Sequence, residues 1–302
     1  MLEERLNGLY EQYGYRKFRM SKFEEYDLYA KNKDFLKSGH IITFTDVDGS
    51  LKALKPDITL SIMKNNNGGS EKVYYNENVY RDMGGSFQEI LQVGVESVGQ
   101  IDPYAEAEVI ALAAKSLEVL SPRYVLDLSD VSFVSCLLDG MGLGEKERAQ
   151  VLELISQKNA PGIQAMARAG KLKEGDAQAI AQLMAIYAPL KEGIAQAGRL
   201  ARDNASWEAL RQLSLVASIL ESFGLGDQVH LDFSLVNSMD YYNGVIFQGF
   251  LEGIPFPALS GGRYDNLPRK MGKQVGAIGF ALYMGRLEQY FGQERQYDAD
   301  LL

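Results

Sequence analysis

The chain has 302 residues, of which 46% are hydrophobic and 24% are charged, and its formal net charge is −9. This length and balance suit a globular protein with a full core, in one large domain or two smaller ones, and exclude a disordered chain. The negative charge argues against extended contact with nucleic acid, which needs clustered Lys and Arg. The sequence has no stretch apolar enough to span a bilayer and no signal peptide, so we expect a cytoplasmic protein without a membrane partner.

Nitrogen and sulfur ligands for a metal are scarce in this sequence. The one cysteine, Cys136, excludes an internal disulfide, and its apolar neighbours predict a buried thiol. The two histidines, His40 and His230, lie far apart with no ligand-like spacing around them. We therefore expect no bound metal and no cofactor.

Helix and strand signals are mixed in the first 136 residues. A helical pattern ends before Gly14, the Asp-Gly pair in Asp46–Gly49 is typical of a hairpin turn, and Asp57 is placed to cap a helix. Asp102 followed by Pro103 begins another helix. The predicted elements are a helix over 1–13, strands over 41–45 and 51–55, a helix over 57–64, strands over 72–75, 79–82 and 89–98, a helix over 103–120 and a strand over 124–128.

The composition changes between about residues 137 and 223. Ala, Leu, Glu, Gln and Lys dominate there, and the apolar residues fall at helical spacing, which predicts several short helices. Strand signals then return, with Asn243-Gly244 as a second hairpin signal. The predicted elements are strands over 229–236, 241–250 and 276–279 and a closing helix over 280–290.

This order of elements predicts an α+β fold with an antiparallel β-sheet flanked by helices. Residues 1–136 and 224–302 form one discontinuous domain in this prediction. Residues 137–223 form an inserted helical module that splits the sheet in sequence. Alternating βαβ units fit the order less well, because the strands and the helices are segregated along the chain.

The most informative predicted strand is EILQVGVESVG. Alternation puts Gln92, Gly94 and Glu96 on one face, opposite an apolar face that belongs to the core. The amide and the carboxylate are about 13 Å apart along the strand, four residues at roughly 3.3 Å each. The glycine leaves room for something to lie across the sheet. A solvent-facing polar side with an incidental glycine explains the pattern equally well.

Two later segments are also candidates for a site. In FPALSGGRYDNL, paired glycines precede Arg263, Tyr264 and Asp265, which suggests a backbone that approaches something closely beside a cation, a phenol and an acid. A plain turn into a strand is the simpler alternative. In NSMDYYNGVIFQGF, we expect Tyr241 and Tyr242 to point to opposite faces of a strand, so that one is core and the other lines a pocket.

Together these segments resemble the class II aminoacyl-tRNA synthetase core, and specifically its histidyl branch. The matching stretches are YGYRKFRMSKFEEYDLY, LKPDITLSI, VYRDMGGSFQEILQVGVESVG, MDYYNGVIFQGF, GGRYDNL and GAIGFALYMGRL, in the order of that family. The resemblance covers nearly the whole chain. It implies the synthetase catalytic-core fold, a self-dimer formed through the first segment, a histidine pocket and an ATP site.

The resemblance also implies roles for individual side chains. In the implied histidine pocket, Asp57 and Thr59 hold the ammonium group with help from Gln92, Arg81 holds the carboxylate and phosphate, Glu96 and Tyr242 hold the imidazole, and Tyr264 belongs to the pocket wall. These roles agree with elementary chemistry, since carboxylates attract an ammonium and an imidazole needs paired donors and acceptors. Arg286 matches an arginine that stacks on adenine, and here we regard it as a possible vestigial nucleotide contact.

Several departures from the synthetase pattern concern catalysis. Asn237 stands where the family has an arginine that stabilises charge during adenylation, and losing such a cation costs orders of magnitude in rate. Met83 replaces the second acidic residue of motif two, whose loop is short, and Ser21 replaces a motif-one proline. The sequence contains no counterpart of the anticodon-binding domain. We therefore expect no catalytic residues, no adenylation and no tRNA partner.

An amino-acid pocket without the adenylation and tRNA parts resembles the regulatory subunits of ATP phosphoribosyltransferase. This resemblance implies a non-catalytic chain that joins a short-form catalytic subunit in a hetero-octamer, in the first step of histidine biosynthesis. It also implies that the chain is needed for activity and mediates feedback inhibition by L-histidine. Two alternatives stay open: a stand-alone paralogue that adenylates histidine or another amino acid, and a scaffold that binds no amino acid.

Overall fold

The computed structural model describes residues 2–36, 40–236, 241–288 and 290. The strands are β1 (Arg16–Lys17), β2 (Phe23–Glu25), β3 (Thr43–Thr45), β4 (Leu51–Leu54), β5 (Glu71–Asp82), β6 (Phe87–Gly99), β7 (Tyr124–Asp130), β8 (Ala188–Pro189), β9 (Val229–Leu231), β10 (Val245–Leu251), β11 (Leu259–Arg263) and β12 (Gly276–Leu282). The helices are α1 (Leu2–Gln12), α2 (Tyr26–Ala30), α3 (Thr59–Asn65), α4 (Pro103–Leu120), α5 (Val131–Asp139), α6 (Glu145–Ser156), α7 (Ala160–Arg168), α8 (Glu174–Met184), α9 (Leu190–Gly198), α10 (Asn204–Ser222), α11 (Asn266–Lys270) and α12 (Met284–Leu287), with a 3₁₀ turn at Lys33–Phe35.

One large sheet organises the described residues. Its strand order is β1-β5-β6-β12-β11-β10-β7-β9-β8. The six strands from β5 to β7 in this order pair antiparallel throughout, which confirms the predicted antiparallel sheet. Two parallel pairs extend it, β1 on β5 at one edge and β9 on β7 near the other.

Helix α4 covers one face of the large sheet. It begins as predicted, with the Asp102 carboxylate accepting a hydrogen bond from the Ala105 N–H at 2.8 Å and with Pro103 as its first residue. Apolar side chains from β6, such as Val93 and Val95, are fully buried in the core that contains this helix. The polar residues that alternate with them therefore point to the opposite face.

The opposite face is partly covered by α3 and by a small second sheet. That sheet has the order β2-β4-β3, and β3 pairs with β4 through the predicted hairpin turn at Asp46–Gly49. Helix α3 begins two residues later than predicted, and Ile58 occupies its N-cap position. The Asp57 carboxylate, one residue earlier, still accepts a hydrogen bond from the Leu60 N–H at 2.9 Å and so pairs with a donor of the first turn. A second apolar cluster, including Ile58 and Val73, holds these elements against the large sheet.

Two predicted strands are in fact one strand. The prediction of separate strands over 72–75 and 79–82 is wrong, because β5 pairs with β6 without a break from Glu71 to Asp82. The polar residues between the two predicted strands find partners without leaving the ladder. Asn76 donates to Glu3 and Asn78 donates to Glu89, each at 2.6 Å.

The hairpin expected at Asn243-Gly244 is also wrong. Strands β9 and β10 do not pair with each other, since each lies beside β7 on a different side. The Asn243 side-chain oxygen instead accepts a hydrogen bond from the Asp265 backbone N–H at 2.7 Å. The backbone N–H of Asn243 donates to the Arg263 carbonyl at 3.0 Å. These two hydrogen bonds hold the segment that precedes β10 next to the end of β11.

The closing helix predicted over 280–290 begins later and is shorter. Strand β12 continues to Leu282 because it pairs on both sides, with β6 and with β11, and α12 covers only Met284–Leu287.

Cys136 is partly exposed where a buried thiol was predicted, and burial still raises the pKa of its thiol. No helix among the described residues is long and apolar enough to cross a membrane.

Residues 137–223 contain α6 to α10, in agreement with the helical composition of this segment. They also contain β8, which pairs with β9 and so adds a strand to the edge of the large sheet. Helix α10 packs against α4 and α5. The division into a discontinuous domain and a helical insertion stays a prediction.

Candidate functional site

A narrow cavity with about 40 Å³ of free volume opens on the face of the large sheet opposite α4. Strand β6 forms its floor, and the start of α3, the ends of β11 and β12 and the segment that precedes β10 form its walls. All seven residues expected in a histidine pocket line this one cavity: Asp57, Thr59, Arg81, Gln92, Glu96, Tyr242 and Tyr264. They come from four separate stretches of sequence, so the fold rather than local sequence brings them together.

Glu96 is a buried carboxylate with two hydroxyl donors. The Thr59 hydroxyl donates to its Oε1 at 2.8 Å, and the Tyr264 hydroxyl donates to its Oε2. Burial is the main cause that raises the pKa of Glu96 to about 8, and the nearby negative charge of Asp57 adds to this effect. Gly279 makes the room for this side chain, since a Cβ there would lie 1.7 Å from Glu96 Oε2.

A carboxylate and a guanidinium lie side by side at another part of the cavity. Arg81 approaches Asp57 to 3.7 Å, and both side chains are largely buried. Each is also held by the backbone: Arg81 Nε donates to the Pro56 carbonyl at 2.7 Å, and Asp57 accepts from the Leu60 N–H. A carboxylate and a guanidinium fixed side by side can receive the ammonium and carboxylate groups of a free amino acid.

The glycine between Gln92 and Glu96 leaves room for a group to lie across the sheet, as expected, and that group is a side chain of the protein itself. A Cβ on Gly94 would lie 2.6 Å from the Tyr75 hydroxyl and 2.1 Å from the Phe280 carbonyl. The Tyr75 ring therefore lies across the sheet at this point, and its hydroxyl donates to the Phe280 carbonyl at 3.2 Å. Gln92 and Glu96 both line the cavity, so the reading of this face as solvent-exposed is wrong.

The two adjacent tyrosines do not divide between core and pocket. Both line the cavity, because they precede β10 and are not part of a strand. The Tyr241 ring contacts the rings of Tyr242 and Tyr264, with centroid distances of 4.7 and 5.6 Å. Burial raises the pKa of all three hydroxyls well above 10, so they are neutral donors at physiological pH.

Several lining residues were not predicted from the sequence. Besides Tyr75 and Tyr241, the cavity wall includes Phe35, whose ring contacts Tyr241 at a centroid distance of 5.6 Å, and Ser260 on β11. No local pattern marks Phe35. Ser260 precedes the paired glycines of β11, and its place next to a closely packed backbone is the one signal that could have identified it.

The candidates Arg263 and Asp265 do not line the cavity, because they pair with each other and Arg263 also pairs with Glu106. Arg286 does not line the cavity either. Its guanidinium lies over the Phe256 ring, 4.1 Å from the centroid. Among the departures from the synthetase pattern, Met83 is exposed on the tight turn that joins β5 to β6, where Gly84 and Gly85 adopt positive φ. Asn237 lies outside the described residues.

The arrangement suits binding better than covalent chemistry. The polar groups of the cavity are a carboxylate–guanidinium pair, an amide, a buried carboxylate and several phenols. Within the described part of the chain, no group of three or more His, Cys, Asp and Glu side chains is placed to hold a metal ion. The geometry therefore points to a small zwitterionic ligand with a polar side chain.

Comparison with known proteins agrees with this geometry. A model of the family described as histidyl-tRNA synthetase matches residues 1–287. The ATP phosphoribosyltransferase regulatory subunit of Acetivibrio thermocellus is 30% identical over 291 residues, which cover 93% of this chain and 69% of that protein. These two matches show the family.

Solved structures lead to the same group. An ATP phosphoribosyltransferase regulatory subunit/histidyl-tRNA synthetase from Bacillus halodurans has a TM-score of 0.85 at 25% identity, covering 95% of this chain and 77% of that one. The ATP phosphoribosyl transferase complex from Thermotoga maritima has a TM-score of 0.74 at 17% identity, covering 94% and 96%, and supports the fold alone. The fold is therefore the class II synthetase fold predicted from the sequence, and the chain belongs to the histidyl-tRNA synthetase family, in the group of ATP phosphoribosyltransferase regulatory subunits.

Proposed function

We propose that this chain is the non-catalytic regulatory subunit of an ATP phosphoribosyltransferase and that its cavity binds free L-histidine as the effector. One observation carries the proposal: seven residues from separate stretches line a single cavity with an acid–base pair and a buried carboxylate. The Acetivibrio thermocellus relative is named as an ATP phosphoribosyltransferase regulatory subunit, and this name supports the assignment of ATP phosphoribosyltransferase as the enzyme that this chain regulates.

The cavity offers complementary partners for the two charged groups of an amino acid. The α-carboxylate would bind the Arg81 guanidinium, and the α-ammonium would bind Asp57 with the help of Gln92. Asp57 and Arg81 are 3.7 Å apart, longer than a hydrogen bond, so a ligand that binds both side chains replaces this weak contact with two charge-assisted hydrogen bonds.

The buried Glu96 selects the side chain of the ligand. Glu96 accepts hydrogen bonds from Thr59 and Tyr264, but a carboxylate has about four acceptor positions, so an imidazole N–H can donate a further hydrogen bond that an apolar ligand side chain cannot. The neutral tyrosines nearby can pair with the other ring nitrogen. Histidine therefore fits this cavity better than an apolar amino acid of similar size.

The proposal includes the assembly that the family resemblance implies. The chain, of 33.5 kDa, would pair as a dimer and join the short-form catalytic subunit in a cytoplasmic hetero-octamer. Histidine can inhibit this complex only to the extent that it binds the less active arrangement more tightly than the active one. Native mass spectrometry of the two chains together measures the stoichiometry directly, and a complex other than four copies of each chain contradicts the octamer.

Reconstitution with the short-form catalytic subunit of the same organism tests the function. We expect phosphoribosyltransferase activity to require this chain and to fall when histidine is added. A Glu96→Ala variant should still support activity but should lose most of the response to histidine. Activity that is the same with and without this chain would overturn the assignment of the partner.

The alternative of an adenylating enzyme is tested separately. ATP–pyrophosphate exchange with histidine should be undetectable, because the β5–β6 turn carries Met83 and no acidic or basic side chain between Asp82 and Gln88. Exchange above the background of a Glu96→Ala control would make the chain a synthetase paralogue. Failure to bind histidine in calorimetry would instead favour a scaffold with an unused cavity.

A further inference from the structure

Three charged side chains lie behind the wall of the cavity, at the end of β11. Side chains alternate between the two faces of a strand, so Arg263 points to the face of α4, away from the cavity that Tyr264 lines. There its guanidinium donates to Glu106 on α4 at 2.8 Å and to Asp265 at 3.0 Å. Glu106 and Asp265 are both more than nine-tenths buried. This arginine therefore joins two buried carboxylates.

Asp265 connects the end of β11 to two other segments of the chain. Besides the guanidinium of Arg263, its carboxylate accepts the backbone N–H of Ala277 on β12 at 3.0 Å. Its own backbone N–H donates to the side-chain oxygen of Asn243 at 2.7 Å. Gly276 leaves the room for this arrangement, since a Cβ there would lie 2.8 Å from Asp265 Oδ1.

The segment before β10 completes the anchor from the other side. The backbone N–H of Asn243 donates to the Arg263 carbonyl at 3.0 Å. The stem of the Arg263 side chain packs directly on the next residue, because a Cβ on Gly244 would lie 3.0 Å from Arg263 Cδ. Arg263 is therefore held through its main chain, its stem and its guanidinium.

Tyr264 stands between these two anchored residues. Its backbone N–H donates to the Ala277 carbonyl at 2.8 Å, and its hydroxyl donates to Glu96 on the floor of the cavity. A hydrogen bond weakens steeply when its donor moves or tilts, so a shift of the Tyr264 backbone would move this hydroxyl off Glu96. The residues on either side of Tyr264 therefore control a contact that they do not make themselves.

We propose that Glu106, Arg263 and Asp265 are positioning residues, which hold the Tyr264 hydroxyl on Glu96 and so set the affinity of the cavity for an imidazole side chain. The proposal rests on the proposed histidine pocket. None of the three residues lines the cavity, so each acts through Tyr264 and not on the ligand. A guanidinium that donates to two carboxylates fixes direction as well as distance, which suits this task better than apolar packing.

A double-mutant cycle on the full chain tests the proposal, with L-histidine binding measured by calorimetry. Arg263→Met keeps the stem over Gly244 and removes the guanidinium, and we expect histidine binding to weaken by about tenfold or more. In a Tyr264→Phe background the same substitution should weaken binding by less than about threefold, because the hydroxyl that it misplaces is already absent. A general loss of structure would weaken binding equally in both backgrounds.

Arg202→Met is the matched control. Arg202 donates to the buried Asp176 at 2.7 Å, so the substitution breaks a similar pair. This pair lies in the segment 137–223, which is described throughout and contributes no residue to the cavity. We expect the histidine affinity of Arg202→Met to equal that of the parent.

Equal losses in the two backgrounds overturn the proposal, and so does an Arg263→Met chain that binds histidine like the parent. If Arg263→Met does not fold, because Glu106 is left buried without its partner, Arg263→Met combined with Glu106→Leu removes both charges and enters the same cycle. A parent chain that does not bind histidine overturns the proposed function and this proposal with it. A parent that binds histidine, with equal losses in the cycle, overturns the positioning role alone.

Discussion

The Thr59 hydroxyl donates a hydrogen bond to carboxylate oxygen Oε1 of Glu96 across 2.8 Å and so joins the first residue of α3 to the floor of the sheet. The family resemblance gives these two residues different tasks, one at the ammonium end of the ligand and one at the imidazole end. Their contact makes the two ends of the cavity a single hydrogen-bonded unit. A ligand that changes the position of the Glu96 side chain should therefore also change the position of Thr59, the first residue of α3.

Replacing Thr59 by valine keeps the shape of the side chain and removes this donor. Glu96, whose pKa of about 8 leaves it mostly protonated at neutral pH, then lacks one of its two hydroxyl partners, and a hydrogen bond between neutral groups contributes about 0.5–1.5 kcal/mol. We expect histidine affinity in calorimetry to fall by about two- to tenfold. Thr59→Ser keeps the hydroxyl and serves as the control. Equal affinity in Thr59→Val and the parent would contradict a role for this hydroxyl.

The raised pKa of Glu96 predicts how stability changes with pH. Because this pKa is about 8 in the folded chain and 4.5 in the unfolded chain, the folded state binds the extra proton between these values. The stability that Glu96 contributes is complete below about pH 4.5 and is lost as the pH rises to about 8. In this window the free energy of unfolding of the ligand-free parent should fall relative to Glu96→Gln by up to about 1.4 kcal/mol per pH unit.

Urea unfolding at several pH values measures this difference. Asp130→Asn is the control: burial raises the pKa of Asp130 from 3.8 to about 6, so its effect should be confined to that lower range. Asparagine can still accept the hydrogen bond that Asp130 receives from the Phe133 N–H, so α5 keeps its cap. Parallel curves for the parent and Glu96→Gln between pH 5 and 8 would show that Glu96 is ionised throughout.

Local patterns predicted the parts of the site that depend on one element. Alternation along β6 puts Gln92 and Glu96 on the same face because side chains in a strand repeat every two residues. Asp102 and Pro103 mark the start of α4 because a cap and a preformed φ act within one turn. The histidyl resemblance then supplied residues from other stretches, and the fold brings those residues to one cavity.

Contacts that depend on strand order could not be predicted in the same way. Tyr75 covers Gly94 and donates to the Phe280 carbonyl, 205 positions away, only because β5, β6 and β12 are neighbours in the sheet. The Asn-Gly pair at Asn243 was misread for a related reason. Hairpin propensity is a local preference, and here the pairing of β10 with β7 and β11 overrides it.

A buried ion pair under the small sheet gives a prediction about stability. The Lys55 side chain is fully buried and donates to Glu77 at 2.6 Å, whereas Glu77 is about one-fifth exposed. Glu77→Ala leaves a buried ammonium without a partner and should cost about 3–5 kcal/mol. Lys55→Met removes the buried charge itself and should cost less. Urea unfolding ranks the two variants, and the reverse order would contradict this account.

Gly279 lines the cavity beside Glu96 and tests whether the position of this carboxyl group matters for binding. A Cβ on Gly279 would lie 1.7 Å from Glu96 Oε2 and 2.4 Å from the Val95 carbonyl. Gly279→Ala must therefore displace the Glu96 side chain from Thr59 and Tyr264, and the carboxylate left without its donors should cost about 1–3 kcal/mol. We expect histidine binding to become undetectable or at least about a hundredfold weaker.

Gly175→Ala is the matched control for this substitution. It adds a methyl group on α8 with nothing within 4 Å, so it should leave histidine binding unchanged and should raise the free energy of unfolding by about 0.5–1 kcal/mol. Calorimetry with histidine and urea unfolding on the same two variants separate binding from stability. A folded Gly279→Ala chain that binds histidine as tightly as Gly175→Ala would mean that the ligand does not depend on Glu96, and the imidazole would then have to lie elsewhere in the cavity.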